Sequence, residues 1–211
     1  MYISPAPTSW PPVLIGLLIG LYWLKVLQLV ARTKRTAGRA ANFIPPEPLG
    51  RLLRWIWIPV VMLWIFLPML APFVSGLPWV LAPVSLPGGS AVGWFAVAVA
   101  LAAFAMTWVC WIRMGTSWRM GIDPNERTRL VFNGPYAYVR HPIYGLSQML
   151  MLAALAAFPS PLMLLIAALH VGFMQWEVRR EERYLVLLHG PAYADYMRRV
   201  GRFLPRFGSW K

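Results

Sequence analysis

Two clusters in the 211-residue sequence combine side chain types able to hold a charged ligand. The first is Tyr136-Ala137-Tyr138-Val139-Arg140-His141-Pro142-Ile143-Tyr144, preceded by Asn133-Gly134-Pro135. Asn-Gly-Pro is turn chemistry, and Pro142 suits the first turn of a helix, where its missing N–H costs nothing. Arg140 and His141 then stand at the mouth of that helix, whose free amides favour an anion such as a carboxylate. Anchorage of Arg140 to lipid phosphates, with His141 as a cap, is the plainer use of the same pair. The second cluster is Glu177, Glu181 and Glu182 in a helical pattern, with Tyr184 on the face of Glu177 and Glu181. Carboxylates this close call for a cationic ligand group or Arg partners, although pairs such as Glu177 with Arg180 and Glu182 with Arg179 would account for part of the charge. Gly190-Pro191 ends this helix. A short amphipathic stretch follows, with Tyr193, Tyr196, Met197 and Val200 on one face and Arg198 and Arg199 beside it, and it is expected to lie on the membrane interface.

The elements that position these clusters are membrane helices. The sequence is 59% hydrophobic and 13% charged, too apolar for an ordinary soluble domain or for disorder. Apolar runs at 13–31, 55–74 and 91–112 each reach the roughly 20 residues a spanning helix needs. A fourth run, 143–176, is too long for one span and is broken by Phe158-Pro159-Ser160-Pro161, which predicts a helical hairpin with two rather short arms. The expected fold is all-α: a polytopic integral membrane protein with about five transmembrane helices and a cytoplasmic C-terminal helical segment. It divides into N-terminal membrane helices over 1–112 and a core over 113–211 that carries both clusters. The single cysteine, Cys110, excludes an intrachain disulfide, and no Cys/His spacing suits a metal.

Net charge is +13, and its distribution follows topology. Arg32, Lys34, Arg35, Arg39, Arg51 and Arg54 follow the first run; Arg113, Arg119, Arg127, Arg129 and Arg140 follow the third; more lie in the tail. The start of the chain, the 75–90 loop and the proline turn carry no basic residue. The acidic residues, Glu47, Asp123, Glu126, Glu177, Glu181, Glu182 and Asp195, share the Arg-rich side, and Lys25 is near enough to snorkel there. By the positive-inside rule the N-terminus is outside and the C-terminus cytoplasmic. The start, 1–12, has no basic n-region, so the first helix is expected to stay as an anchor. Positive charge is thereby explained without nucleic acid. Gly16 and Gly20, and the stripe Ala96, Ala100, Ala103, are expected to let helices of one chain approach closely, which favours a monomer. His170 is expected to hydrogen-bond a neighbouring helix.

The order Gly134-Pro135-Tyr136-Ala137-Tyr138-Val139-Arg140-His141-Pro142-Ile143-Tyr144, then Glu181-Glu182, then Gly190-Pro191-Ala192-Tyr193 with Tyr196, Arg199, Val200 and Leu204-Pro205, resembles the isoprenylcysteine carboxyl methyltransferase family, with its relatives the phospholipid N-methyltransferases. The likeness covers 118–207, and the length fits a short prokaryotic member. It implies a helical membrane enzyme that uses S-adenosylmethionine and releases S-adenosylhomocysteine. The absence of a GxGxxG turn agrees, since that fingerprint belongs to a sheet-based fold. Carried over by position, Val139, Arg140, His141, Pro142 and Tyr144 look like one wall of the cofactor pocket, and Glu181 and Glu182 like the other. Tyr136, Tyr138 and Tyr193 are candidates for adenine packing.

The resemblance implies in-line displacement at carbon, so alignment and exclusion of water matter most. For a carboxylate acceptor the basic clamp would be Arg140 and Arg199; for an amine, Glu181 or Glu182 would be the base. The implied partners are a lipophilic small molecule or lipid and the membrane itself. An Arg-, Ala- and Leu-rich composition resembles that of a GC-rich bacterial genome, so the expected location is a bacterial inner membrane. From another class, sterol reductases look similar in their C-terminal helices and would bind NADPH instead.

Overall fold

The computed structural model describes residues 10–37, 43, 45, 48–85, 88–120 and 130–206. Within them lie helices α1 (Trp10–Ala37), α2 (Pro48–Leu70), α3 (Gly89–Met114), α4 (Pro142–Ala157), α5 (Pro161–His189) and α6 (Pro191–Arg199). No strand occurs among the described residues. The expected charges Arg39, Glu47, Asp123, Glu126, Arg127 and Arg129 lie outside them, as do 1–9 and Phe207.

The protein is an all-α polytopic membrane protein. α1, α2, α3 and α5 are each long and apolar enough to cross a bilayer. The fourth apolar run divides unequally, which corrects the expectation of two short arms. α4 has 16 residues, about 24 Å of helix, whereas α5 has 29, about 43 Å. The reason lies at the proline turn. Phe158 leaves helical geometry, and Ser160 caps α5 by accepting a hydrogen bond from the Met163 amide at 3.1 Å. From there to Gly190 nothing interrupts the helix, so the apolar run and the acidic segment are one continuous rod. The turn is also tied to the 75–85 loop, through Val84 N–H to Pro159 O (2.8 Å) and Leu162 N–H to Val80 O (3.0 Å).

Small residues set the packing. A Cβ on Gly16 would come within 2.8 Å of both Ile65 O and Met69 Cβ, so α1 and α2 touch backbone to backbone there. At Gly20 the nearest such atom is 3.8 Å away. Ala96, Ala100 and Ala103 are buried on α3. One apolar cluster runs through α1 to α5, from Ile15 and Ile19 through Trp64 and Ala100 to Leu150 and Ile166. The stripe therefore serves contacts within one chain. His170 is fully buried on α5, its Nε2 3.1 Å from Ser147 Oγ on α4, with its ring against Trp64. Lys25 stands over the Trp108 ring at 4.2 Å.

α6 differs from expectation. Its apolar face is turned into the protein: Tyr193 and Tyr196 are buried against Leu185 of α5, with Leu130, Met197 and Val200 around them. A face packed this way is not available to the bilayer.

Candidate functional site

The segment before α4 is shaped by two glycines. Gly134 has φ +60°, which lets the chain turn into a short 3-10 helix, Gly134–Ala137. Gly201 lies opposite: a Cβ there would fall 1.8 Å from Leu204 O, so no side chain fits. The two segments pair where Arg140 N–H donates to Gly201 O (2.8 Å) and His141 N–H to Arg202 O (3.0 Å). The C-terminal segment is thereby fastened to the mouth of α4.

Glu182 completes that fastening. It is 3% exposed, and Arg140 donates to its Oε1 from Nε (3.0 Å) and Nη2 (2.7 Å). Arg202 donates to Oε2 from Nη2 at 2.5 Å and from Nε at 3.1 Å. This partner raises the already high affinity of the Arg202 guanidinium for its proton. The remaining Arg140 nitrogen, Nη1, donates to Met197 O (3.1 Å) and to Val200 O. Tyr196 ties the same region by donating its hydroxyl to Tyr136 O at 2.5 Å, and burial pushes its phenol up to about 12. Burial likewise raises Tyr136 and Tyr193.

Below this brace lies a cavity with about 1220 Å³ free of protein atoms, its open mouth included. Arg54, Arg119, Arg140, His141, Glu177 and Glu181 border it. Of their polar atoms, Arg54 Nε, His141 Nε2, Glu177 Oε2 and Glu181 Oε2 are buried without a hydrogen-bond partner. The His141 ring sits between the two acidic neighbours, Nε2 3.4 Å from Glu182 Oε1 and Nδ1 3.9 Å from Glu181 Oε2. The first approach lacks hydrogen-bond alignment, which leaves His141 a donor or acceptor to offer. Glu177 Oε2 is 3.6 Å from Arg180 Nη1, the expected one-turn pair.

The structure brings together Arg140, His141, Pro142, Tyr144 and Glu181 at the cavity, with Tyr136 and Tyr193. Val139 and Tyr138 face a separate apolar groove beside Phe203 and Leu204. Glu182 is spent on Arg140 and Arg202, not on Arg179, and does not line the cavity. Arg199 is exposed on α6, its Nε 3.5 Å from Asp195 O, and is not among the cavity residues. The far side of the cavity comes from residues the sequence did not single out as a site: Tyr22, Trp23, Arg54, Trp57 and Trp111. The signal available for Arg54 was its place at the very edge of an apolar run.

Residues 96–187 match the sequence profile of the Isoprenylcysteine carboxyl methyltransferase (ICMT) family. The match covers less than half of the chain. It begins within α3, ends within α5, and holds Arg140, His141, Tyr144, Glu177, Glu181 and Glu182. The far side of the cavity, with Tyr22, Trp23, Arg54 and Trp57, lies before the matched segment. Over 116 residues the chain is 30% identical to the nickel-cobalt-cadmium resistance protein NccN of Alcaligenes xylosoxydans xylosoxydans. The alignment covers 54% of each protein, so the chain spans about half the length of that curated relative.

Proposed function

We propose that the protein is an S-adenosylmethionine-dependent methyltransferase that acts on a lipophilic acceptor at the boundary between membrane and cytoplasm, in the manner of isoprenylcysteine carboxyl O-methylation. One observation carries this reading: within the matched segment, Glu177, Glu181 and His141 present buried atoms that lack a hydrogen-bond partner to one cavity. Buried polar atoms without partners are costly, and a ligand that supplies the partners removes the cost. The donor set fits the cofactor. Carboxylates suit a sulfonium, an ammonium and ribose hydroxyls, while Tyr136 and Tyr193 offer aromatic surface for a base.

When bound, the cofactor would supply a methyl group on a cationic sulfur. The chain's own residues do the rest by position. Glu181 and Glu177 concentrate negative charge beside the cation. His141 and Tyr144, at the start of α4, hold the ligand's polar edge. Tyr193 and Tyr196, held by α6, keep bulk water from the reacting atoms. The Arg140–Glu182–Arg202 brace fixes the loop that carries His141, so it acts on the ligand by holding that loop in position. An ionised carboxylate acceptor needs no base, only alignment. Basic residues at the last turns of α1 and α3 support a reading in which the cavity mouth faces the cytoplasm from a bacterial inner membrane, with the N-terminus outside.

Membranes containing the protein, supplied with methyl-labelled S-adenosylmethionine, test this directly. Label should enter the organic phase and be released as methanol by mild base, as a methyl ester requires. Base-stable label would indicate N-methylation instead, and no incorporation into any lipophilic product would refute the reading. Glu181→Gln should weaken S-adenosylhomocysteine binding by about tenfold or more without lowering the melting temperature, since Glu181 supports no brace.

A further inference from the structure

Arg54 lies on α2 with its residue 5% exposed, inside a membrane protein, and its Nε has no partner. Among the described residues it makes no hydrogen bond and no ion pair. The Trp57 ring, 5.3 Å from the guanidinium carbon, is its close neighbour. Glu177 attracts it across a longer distance but has Arg180 beside its own Oε2. A guanidinium in such a place without a carboxylate is expensive, and an intramembrane charge of this kind marks a ligand site.

The surroundings define the ligand. Trp57 packs edge-on against Trp23 (4.9 Å) and stacks with Phe173 (5.2 Å), so aromatic surface from α1, α2 and α5 encloses the charge. A molecule that fits is apolar along most of its length and ends in one anionic group, which the planar guanidinium can hold with two parallel hydrogen bonds. The other arginines near the site are engaged elsewhere or exposed: Arg140 and Arg202 are held by Glu182, Arg119, which also borders the cavity, has an interaction of its own, and Arg199 is exposed on α6. Along α5, Glu177 stands one turn nearer the apolar Phe173 than Glu181 does, so Arg54 serves the deeper, membrane side of the cavity.

We propose that Arg54 is the clamp for the anionic end of the lipophilic acceptor and that it sets the acceptor's charge. The proposal rests on the methyltransferase reading of the same cavity. Arg54, Trp23 and Trp57 precede the matched segment, so acceptor choice would reside in the N-terminal helices and cofactor binding in α4 and α5.

The test uses the full chain in detergent with three ligands: S-adenosylhomocysteine, N-acetyl-S-farnesylcysteine as an anionic lipophilic probe, and its neutral carboxamide. Wild-type protein should prefer the carboxylate over the amide by about tenfold or more, as charge-assisted hydrogen bonds require. Arg54→Gln should abolish that preference and leave S-adenosylhomocysteine affinity within about twofold of wild type; Arg54→Lys should retain part of the preference, because it keeps charge and loses the fork. Equal binding of both probes by wild-type protein overturns the proposal, and does so even if Arg54→Gln fails to fold. Loss of S-adenosylhomocysteine binding in Arg54→Gln with the preference intact would also overturn it, moving Arg54 to the cofactor. Failure of wild-type protein to bind S-adenosylhomocysteine, with the preference present, would instead strike the methyltransferase reading and leave an anion site.

Discussion

Replacing Glu182 with glutamine keeps the shape of the side chain and removes the charge that two guanidiniums share. The magnitude follows from burial. The Arg140 and Glu182 side chains are 6% and 4% exposed, so the change leaves a buried cation without its counter-charge, which typically costs about 3–5 kcal/mol. Glutamine keeps one acceptor, and the Arg202 side chain, 34% exposed, recovers solvent, so the lower end of that range, about 3 kcal/mol, is expected. For a chain of this size that corresponds to a fall of about 6–12 °C in melting temperature. The assay is thermal unfolding of detergent-solubilised protein, followed by tryptophan fluorescence. S-adenosylhomocysteine affinity should fall together with stability, because the loop that presents His141 is released. The companion Arg202→Gln should lose only about 1 kcal/mol, as a partly exposed pair does. A Glu182→Gln protein that melts within about 2 °C of wild type would refute the argument that this carboxylate is a brace.

Other expectations are of the same kind. Gly201→Ala should destabilise the protein by about 1–3 kcal/mol and expose the C-terminal segment to proteolysis, because its Cβ would meet Leu204 O at 1.8 Å; unchanged proteolysis would contradict that contact. Ser147→Ala should cost about 1–2 kcal/mol by leaving the buried His170 Nε2 without a partner, read as a lower melting temperature. Arg199→Ala should leave both melting and S-adenosylhomocysteine affinity at wild-type values, since the residue is exposed on α6 away from the cavity; a tenfold loss of affinity would return it to the site.

Much of the fold was legible because the membrane imposes simple rules. Hydrophobic length located α1, α2, α3 and the membrane part of α5, and two prolines around Ser160 located the break before α5. The pairing of His170 with a neighbouring helix was legible because a lone histidine in an apolar span must find a partner. What was not legible depended on distant pairing. Arg140 and Glu182 are 42 residues apart, and Arg140 meets the Met197 and Val200 carbonyls 57 and 60 residues on, so no local spacing shows that its donors are consumed. The contribution of α1 and α2 was hidden for another reason. In an apolar run every face is hydrophobic, and nothing in the pattern separates Trp57 facing a cavity from Trp55 on an exposed face. The inward turn of α6 was hidden likewise, because Tyr193 and Tyr196 suit a bilayer surface as well as a protein lid.

The central claim is that the cavity bounded by His141, Glu177 and Glu181 holds the methyl donor. Calorimetric titration of the folded, detergent-solubilised protein with S-adenosylhomocysteine, with NADPH as the parallel ligand, tests it most directly. One-site, micromolar binding of S-adenosylhomocysteine and no heat from NADPH are expected. Binding of NADPH alone would contradict it and place a reductase chemistry in the same cavity.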